Sequence, residues 1–218
     1  MNDPYPGFVG IATLSVRGAD RARLERRART LAHGGNAWHV VEFAIALGAG
    51  ISAGSIALIG FGADSLVEVM AGGVVVWLFT NGRGSSPQAE RRAQQLVAAS
   101  FCLLAAYVSV ESIRDLAAGH RPGASWLGVG LAAVTAPTMP LLARAKRRVG
   151  HALGSSATVS EARQNELCAY LSVALLIGLV LNAVWGLWWA DPGAALVIAG
   201  VALNEARDAW RGQSCDCC

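Results

Sequence analysis

The sequence predicts an all-α membrane protein of six transmembrane helices with both termini in the cytoplasm. The 218 residues are 54% hydrophobic and only 15% charged, whereas a soluble domain of this length carries more charge. Six apolar segments are each long enough to cross the hydrocarbon core of a bilayer as a helix. The basic residues, in addition, collect on one side of the membrane.

Gly and Ala are abundant inside the six apolar segments, as expected where helices pack closely in lipid. We place the six spans at residues 37–55, 57–80, 94–116, 124–143, 166–187 and 190–208.

The distribution of Lys and Arg predicts the orientation. Of the 18 Lys and Arg residues, 16 fall on one side of the membrane when the six spans are threaded through it. Only Arg114 and Arg121 are left for the other side. The positive-inside rule then puts both termini in the cytoplasm, with the protein in an inner or plasma membrane. Because these residues serve topology, they do not indicate nucleic-acid binding.

The predicted organisation has three parts. Residues 1–35 form a cytoplasmic segment with a short basic helix over 18–32, which Gly34-Gly35-Asn36 separates from the first span. Residues 36–210 form the six-helix transmembrane domain, and residues 211–218 form a Cys-rich cytoplasmic tail. Between the fourth and fifth spans, the stretch ARAKRRVGHALGSS is expected to be a basic cytoplasmic loop.

Two carboxylates lie inside the second span, in SAGSIALIGFGADSLVEVMA. Asp64 and Glu68 are four residues apart, so in a helix they share one face. An ionisable group at membrane depth costs several kcal/mol and usually faces a partner, an ion or a water-filled cavity. Two acids on one helix face repel each other. A bound cation is the simplest feature that would make this arrangement favourable. An interfacial helix end is the alternative, although apolar sequence continues on both sides.

The fifth span begins with polar residues, in SEARQNELCAYLSVALLIG. Gln164 and Cys168 are four residues apart and share a helix face. A Cys thiolate is a strong, soft metal ligand, and a Gln carbonyl is a weak one. Opposite the acids of the second span, the two residues would complete a four-ligand metal site, which comprises Asp64, Glu68, Gln164 and Cys168.

Neighbouring polar residues are possible accessory ligands. Glu161 lies on much the same side as Gln164, whereas Asn165 is expected to point elsewhere. His39 and Glu42 are three residues apart in the first span and would form an entry station or a second metal site. The alternative is an interfacial His beside a Glu that pairs with Arg.

The tail GQSCDCC contains a further group of possible ligands, Cys215, Cys217 and Cys218. Stable disulfides are not expected in the reducing cytoplasm, so clustered thiols favour zinc or copper(I). Palmitoylation of the cysteines and a dispensable chain end are the alternatives.

These motifs resemble those of the cation diffusion facilitator family of metal/proton antiporters, over about residues 36–210. The second-helix segment is similar to the family signature, and Asp64 and Glu68 fall on its two ligand positions. In the fifth helix, Gln164 takes the place of the family's His, and Cys168 that of its Asp. The chain is expected to lack the family's usual C-terminal cytoplasmic metal-binding domain.

The resemblance implies a homodimeric transporter in the lipid bilayer that exports a divalent transition-metal cation in exchange for protons. Zinc is the first expectation, given mixed oxygen and sulfur ligands. The ion is substrate, and neither a prosthetic group nor enzymatic activity is expected. Two alternatives stay open: a non-transporting metal sensor or scaffold that uses the Cys tail, and a thiol redox membrane protein. Against the latter, Cys168 has no nearby resolving cysteine in the sequence.

Overall fold

The computed structural model describes residues 6–80 and 87–210, and all regular structure in this part of the chain is helical. Each predicted span lies largely on one helix, which confirms the all-α membrane fold class. The six helices are α1 (Pro6–Ala53), α2 (Ile56–Thr80), α3 (Pro87–Ala118), α4 (Trp126–Leu153), α5 (Ser156–Trp185) and α6 (Ala190–Trp210).

Three of the described helices contain segments long and apolar enough to cross a membrane, at Ile56–Gly73, Trp126–Leu153 and Thr158–Trp185. Large apolar side chains also remain exposed on the other helices, such as Leu103 on α3 and Leu203 on α6. Exposed side chains of this kind are suited to a lipid environment. The spans predicted on α1, α3 and α6, and the cytoplasmic location of both termini, stay predictions.

The helices pack most closely as three pairs, α1 with α2, α4 with α5, and α3 with α6. Helix α2 contacts α1, α3, α5 and α6, and therefore lies near the centre of the bundle. At Gly62 on α2, an added Cβ would lie 3.2 Å from the Ala46 Cβ and 3.3 Å from the Leu47 backbone nitrogen. The missing side chain thus lets α1 and α2 approach closely.

The turn between α1 and α2 is tied to the start of α6. Gly54 adopts φ +65°, which favours glycine, and Ser55 follows it. The Ser55 hydroxyl donates to Asp191 Oδ1 at 2.6 Å, and the Ala57 backbone N–H donates to Asp191 Oδ2 at 3.3 Å. A carboxylate from α6 therefore satisfies donors at the N-terminus of α2, where the helix leaves backbone N–H groups unpaired.

The predicted break at Gly34-Gly35-Asn36 is wrong, because α1 continues without interruption from Pro6 to Ala53. Glycine in a helix costs about 1 kcal/mol relative to alanine, so tertiary packing must offset it. At Gly35, a Cβ would lie 2.9 Å from the Lys146 Nζ. The glycine is thus explained by the close approach of α4 and does not end the helix.

The loop predicted between the fourth and fifth spans is also wrong for most of its length. Helix α4 continues to Leu153, and only Gly154 and Ser155 separate it from α5. Its buried positions in this stretch recur every three or four residues, at Ala143, Lys146, Val149, Gly150 and Leu153. This spacing is typical of a helix with one packed face.

The basic half of α1 packs against this extension of α4. Ala28, Val149 and Leu153 form a small buried cluster, with Leu24 and Leu31 against it. The apolar side chains predicted on one face of the basic helix are therefore partly covered by protein.

Lys146 itself is buried and lies between α4 and α5. It is 1% exposed, and its Nζ lies 2.6 Å from Glu161 Oε1. An ion pair in a low-dielectric interior compensates two charges, each of which would be costly alone. The pair therefore fixes the α4–α5 hairpin at this level.

Replacing one member of this pair should destabilise the fold far more than replacing both. Lys146→Met leaves Glu161 as an uncompensated buried charge, so we expect a loss of about 3–5 kcal/mol of stability. The double variant Lys146→Met/Glu161→Gln should recover most of it. Unfolding in detergent, followed by circular dichroism, measures the difference.

The neighbouring pair of Arg147 and Glu166 is the matched control. It joins the same two helices but is partly exposed, with side chains 39% and 31% accessible. Arg147→Met should therefore cost no more than about 1 kcal/mol. Equal stability of the single and double Lys146 variants would show that the buried pair does not hold the hairpin.

Candidate metal centre

Four buried side chains with metal-binding atoms converge where α1, α2 and α5 meet. His39, Glu42, Glu68 and Cys168 each place one such atom within 4.8 Å of the others. All four side chains are at most 4% exposed. We call these four residues the inner cluster.

Helix geometry explains this convergence. His39 and Glu42 are three residues apart and so lie on one face of α1. The close packing of α1 on α2 brings Glu68 against that face, with Glu68 Oε2 3.0 Å from His39 Nδ1. Contact between α2 and α5 brings Cys168 to the same point.

Both ring nitrogens of His39 lie at hydrogen-bond distance from buried polar groups. Nδ1 lies 2.8 Å from Glu42 Oε2, and Nε2 lies 2.9 Å from the Asn165 amide nitrogen. The imidazole of His39 is thus held between a carboxylate of its own helix and an amide of α5.

Residues on α4 and α5 support the cluster. The Thr135 hydroxyl donates a short hydrogen bond to Glu42 Oε1, and the Asn165 amide nitrogen lies 3.5 Å from Glu68 Oε1. The Ser172 hydroxyl donates to the Cys168 carbonyl at 2.7 Å. Such outer partners orient metal ligands and are needed for tight binding.

Two oxygens of this region have no hydrogen-bond partner among the described residues, Glu68 Oε2 and Asn165 Oδ1. Glu68 Oε2 lies 3.0 Å from His39 Nδ1, a nitrogen that Glu42 Oε2 approaches more closely, at 2.8 Å. Buried polar atoms are nearly always bonded, so unpaired oxygens here indicate a place for an ion or water.

The predicted quartet is divided between the inner cluster and a small adjacent cavity. Glu68 and Cys168 belong to the cluster, whereas Asp64 and Gln164 line the cavity together with Glu205 of α6. Glu68 borders both. The remaining lining is apolar, from Phe101, Leu167, Leu171, Val201 and Ala202.

The accessory residues fall in different places. His39 and Glu42 belong to the inner cluster itself, whereas Glu161 lies about two helical turns before Cys168 on α5 and pairs with Lys146. The tail cysteines Cys215, Cys217 and Cys218 lie outside the described residues. The metal roles assigned to all these residues from sequence stay predictions.

Several residues around the centre were not identified from sequence. Asn165 was expected to point away, but it contacts His39 and Glu68. Its spacing of three from Cys168, which also places residues on one helix face, was a usable signal. No local spacing indicates that Thr135 or Glu205 belongs to the centre, because each reaches it from a helix that is distant in the sequence.

The inner cluster offers a mixed donor set of one imidazole, one thiol and two carboxylates. Zinc takes nitrogen, sulfur and oxygen donors and usually binds four of them. Magnesium and calcium prefer oxygen alone. The chemistry of the set therefore favours a borderline transition-metal ion.

The family model of the cation efflux transmembrane domain matches residues 38–211 of the chain. The match begins next to His39 and extends past the end of α6, so it includes the inner cluster and the cavity. No curated protein gives a significant match to the chain.

Cobalt(II) reports directly on whether Cys168 is a ligand. A Co²⁺–thiolate bond gives an intense charge-transfer absorption in the near ultraviolet, which oxygen and nitrogen ligands do not give. We expect this band in detergent-solubilised protein whose tail cysteines have been replaced by Ser. It should disappear in Cys168→Ser, because a hydroxyl is a poor replacement for a thiolate.

Cys102→Ser is the matched control, since Cys102 is exposed on α3 and not part of the inner cluster. That variant should retain the full band. A band that persists without Cys168, or that requires Cys102, would contradict a metal centre at the inner cluster.

Proposed function

Because the chain belongs to the cation efflux family, we propose that it exports a divalent transition-metal ion from the cytoplasm in exchange for protons. The observation that carries the proposal is the inner cluster, in which His39, Glu42, Glu68 and Cys168 meet within 4.8 Å. A neutral apolar lining would be less costly at this depth, so four polar ligands are best explained by a substrate ion.

Zinc is the ion that we propose first. The cluster contains one nitrogen, one sulfur and carboxylate oxygens, all of which zinc accepts at short distances. Cobalt, iron, manganese and cadmium share part of this preference, and affinity order alone does not select among them. Copper(I) would favour a site richer in sulfur.

Ion binding should rearrange the hydrogen bonds of His39. Nδ1 is engaged with Glu42, and Nε2 with Asn165. A metal bound to either ring nitrogen must displace one of these partners. Occupation of the site would thus change a contact between α1 and α5, or within α1, and this change would favour one helix arrangement over another.

Access from the cytoplasm would require a second rearrangement. Glu161 of the buried Lys146–Glu161 pair lies about two helical turns before Cys168 on α5, toward the predicted cytoplasmic side. At Gly72 on α2, an added Cβ would overlap Asn36 Oδ1 and lie 3.0 Å from Glu161 Oε1, so the helices are closely packed here. We propose that the closely packed residues at this level, which are Asn36, Gly72, Lys146 and Glu161, close the path from the cytoplasm. They would separate when the ion enters.

Protons would compete with the ion for the same groups. Carboxylates, thiolate and imidazole bind a metal only when deprotonated, so metal binding releases protons and proton binding expels metal. Protons arriving from outside would therefore release the ion on that side. We propose a homodimer in an inner or plasma membrane as the working unit, in line with the family resemblance.

Flux through proteoliposomes tests the transport proposal. We expect Zn²⁺ uptake that depends on an imposed proton gradient, and a reduction of about tenfold or more in Glu68→Gln and Cys168→Ala. Each variant removes a ligand of the inner cluster. A fluorescent zinc indicator inside the vesicles measures the rate.

Glu111→Gln and Cys102→Ser are the controls, because both residues lie on α3 away from the cluster. They should transport at the rate of the unmodified protein. Tight zinc binding without any flux would favour the alternative of a membrane metal sensor or scaffold.

Zinc affinity should fall as the pH is lowered from neutral to mildly acidic. Each ligand that is protonated in the free protein must lose its proton on binding, so a rise in proton concentration opposes the metal. The slope of log Kd against pH counts the protons displaced. Calorimetry across this range should give a smaller slope for Cys168→Ala, and an equal slope would exclude proton release from that thiol.

A further inference from the structure

A groove lies on the surface of α6, beside α3, and plays no part in the transport proposal. Its lining comes from one side of α6, between Gly200 and Trp210, and from Cys102 of α3. We call it the α3–α6 groove. Its volume is about 570 Å³, which falls within the range of about 300–1,000 Å³ for clefts that bind small molecules. The groove is therefore large enough to hold a ligand.

The α6 side of the groove is a stripe along the helix. Gly200, Leu203, Arg207 and Trp210 recur at intervals of three or four residues, which places them on one helix face. At a rise of about 1.5 Å per residue, the stripe from Gly200 to Trp210 covers about 15 Å. The hydrocarbon core of a bilayer is about 30 Å thick, so the stripe is about as long as one leaflet is deep.

The chemistry of the stripe changes along its length as it does through one leaflet. Gly200 and Leu203 offer no side-chain hydrogen bonds, whereas Asn204, Arg207 and Trp210 each carry N–H donors. The donors lie at the end of α6 that is predicted to face the cytoplasm. They are thus at the level of the phosphate headgroups, and the apolar part is at the level of the acyl chains.

Arg207 supplies the positive charge of the groove. It is exposed and has no ion-pair partner among the described residues. The acids beside it in sequence, Glu205 and Asp208, are directed instead at Arg163 Nη2 of α5, at 3.5 Å and 2.8 Å. An Arg guanidinium can bind a phosphate through two parallel hydrogen bonds. The charge and the donors of Arg207 therefore complement an anionic phosphate group.

The space beside Gly200 is open. An added Cβ there would have no other atom within 4 Å, whereas at Gly35 and Gly62 a neighbouring helix takes up the room. Leu203 and Trp210 are 58% and 67% exposed, so the walls of the groove face outward. In a bilayer, apolar surface of this kind is suited to contact with an acyl chain.

We propose that the α3–α6 groove binds one anionic phospholipid of the cytoplasmic leaflet. Asn204, Arg207 and the Trp210 indole donate hydrogen bonds to the phosphate, and an acyl chain lies along Leu203 and Gly200. Basic pockets on the cytoplasmic side of transmembrane helices bind anionic headgroups in this way. The groove shares no residue with the inner cluster, so the proposal does not depend on metal transport.

Native mass spectrometry of the detergent-solubilised full-length chain counts bound lipids and measures their affinity. The probe is phosphatidylglycerol, and phosphatidylcholine with the same acyl chains is the zwitterionic comparison. We expect one phosphatidylglycerol per chain at the tightest site, bound about fivefold or more tightly than phosphatidylcholine. Glycerol phosphate, which has the phosphate but no acyl chain, should not displace it.

Arg207→Gln should weaken phosphatidylglycerol binding about tenfold, because it removes charge-assisted hydrogen bonds to the phosphate. Arg144→Gln is the matched control. Arg144 is also exposed at the predicted cytoplasmic end of a span, but it lies on α4 and outside the groove. That variant should keep the affinity of the unmodified chain. Arg207→Lys keeps the charge but not the paired donors, so it should give a smaller loss with unchanged thermal unfolding.

Gly200→Leu tests the apolar part of the groove and alters no charge. The new side chain begins in open space, so the fold should persist. It occupies the room of the acyl chain, whose CH₂ groups then lose their contacts, and the affinity should fall about tenfold or more. Gly130→Leu on α4 is the control, because the space beside Gly130 is equally open. It should keep the full affinity.

Equal losses in Arg207→Gln and Arg144→Gln would show a general response to positive charge and would overturn the site. Unchanged affinity in Gly200→Leu, or equal binding of the two lipids, would also overturn it. Conversion of a dimer to a monomer by Gly200→Leu, with lipid affinity unchanged, would assign the groove to a second copy of the chain instead.

Discussion

The cost of burying charge in a membrane domain is the constraint on which the rest of this structure depends. Lys146 is the one buried Lys or Arg among the described side chains, and Glu161 compensates it at 2.6 Å. The other acids near the centre, which are Glu42, Glu68, Asp64 and Glu205, have no buried Lys or Arg of their own. The interior therefore carries an excess of acidic groups, and only protons or a cation can neutralise it.

Hydrogen bonding divides these acids into two kinds. Glu42 is held by His39 and Thr135, so it is fixed in position even without an ion. One oxygen each of Glu68 and Glu205 lacks a hydrogen-bond partner among the described residues. Fixed ligands preorganise a site, whereas unpaired ones supply the driving force to fill it. The centre combines both, which suits an ion that must bind and then leave.

Sequence periodicity predicted the helices and the shared face of Asp64 and Glu68, because both depend on local spacing. It failed where distant contacts outweigh local propensity. Gly35 looked like a helix break, yet it accommodates Lys146 from α4. Lys146 looked like part of a basic loop, because composition alone does not reveal a partner on another helix. The contribution of Glu205 likewise depends on how α6 packs against α2 and α5, which local spacing does not specify.

Charge balance gives a physical reason for the proton exchange that we propose. A fully ionised centre holds four carboxylates and one thiolate, from Glu42, Glu68, Asp64, Glu205 and Cys168. One divalent ion at the proposed site leaves an excess of negative charge, which protons must cover. Removing a metal thus requires that protons take its place, because the apolar surroundings do not tolerate the uncompensated charge. The proposed coupling of metal export to proton entry would then have the same origin as the cluster itself, which is the burial of its ligands.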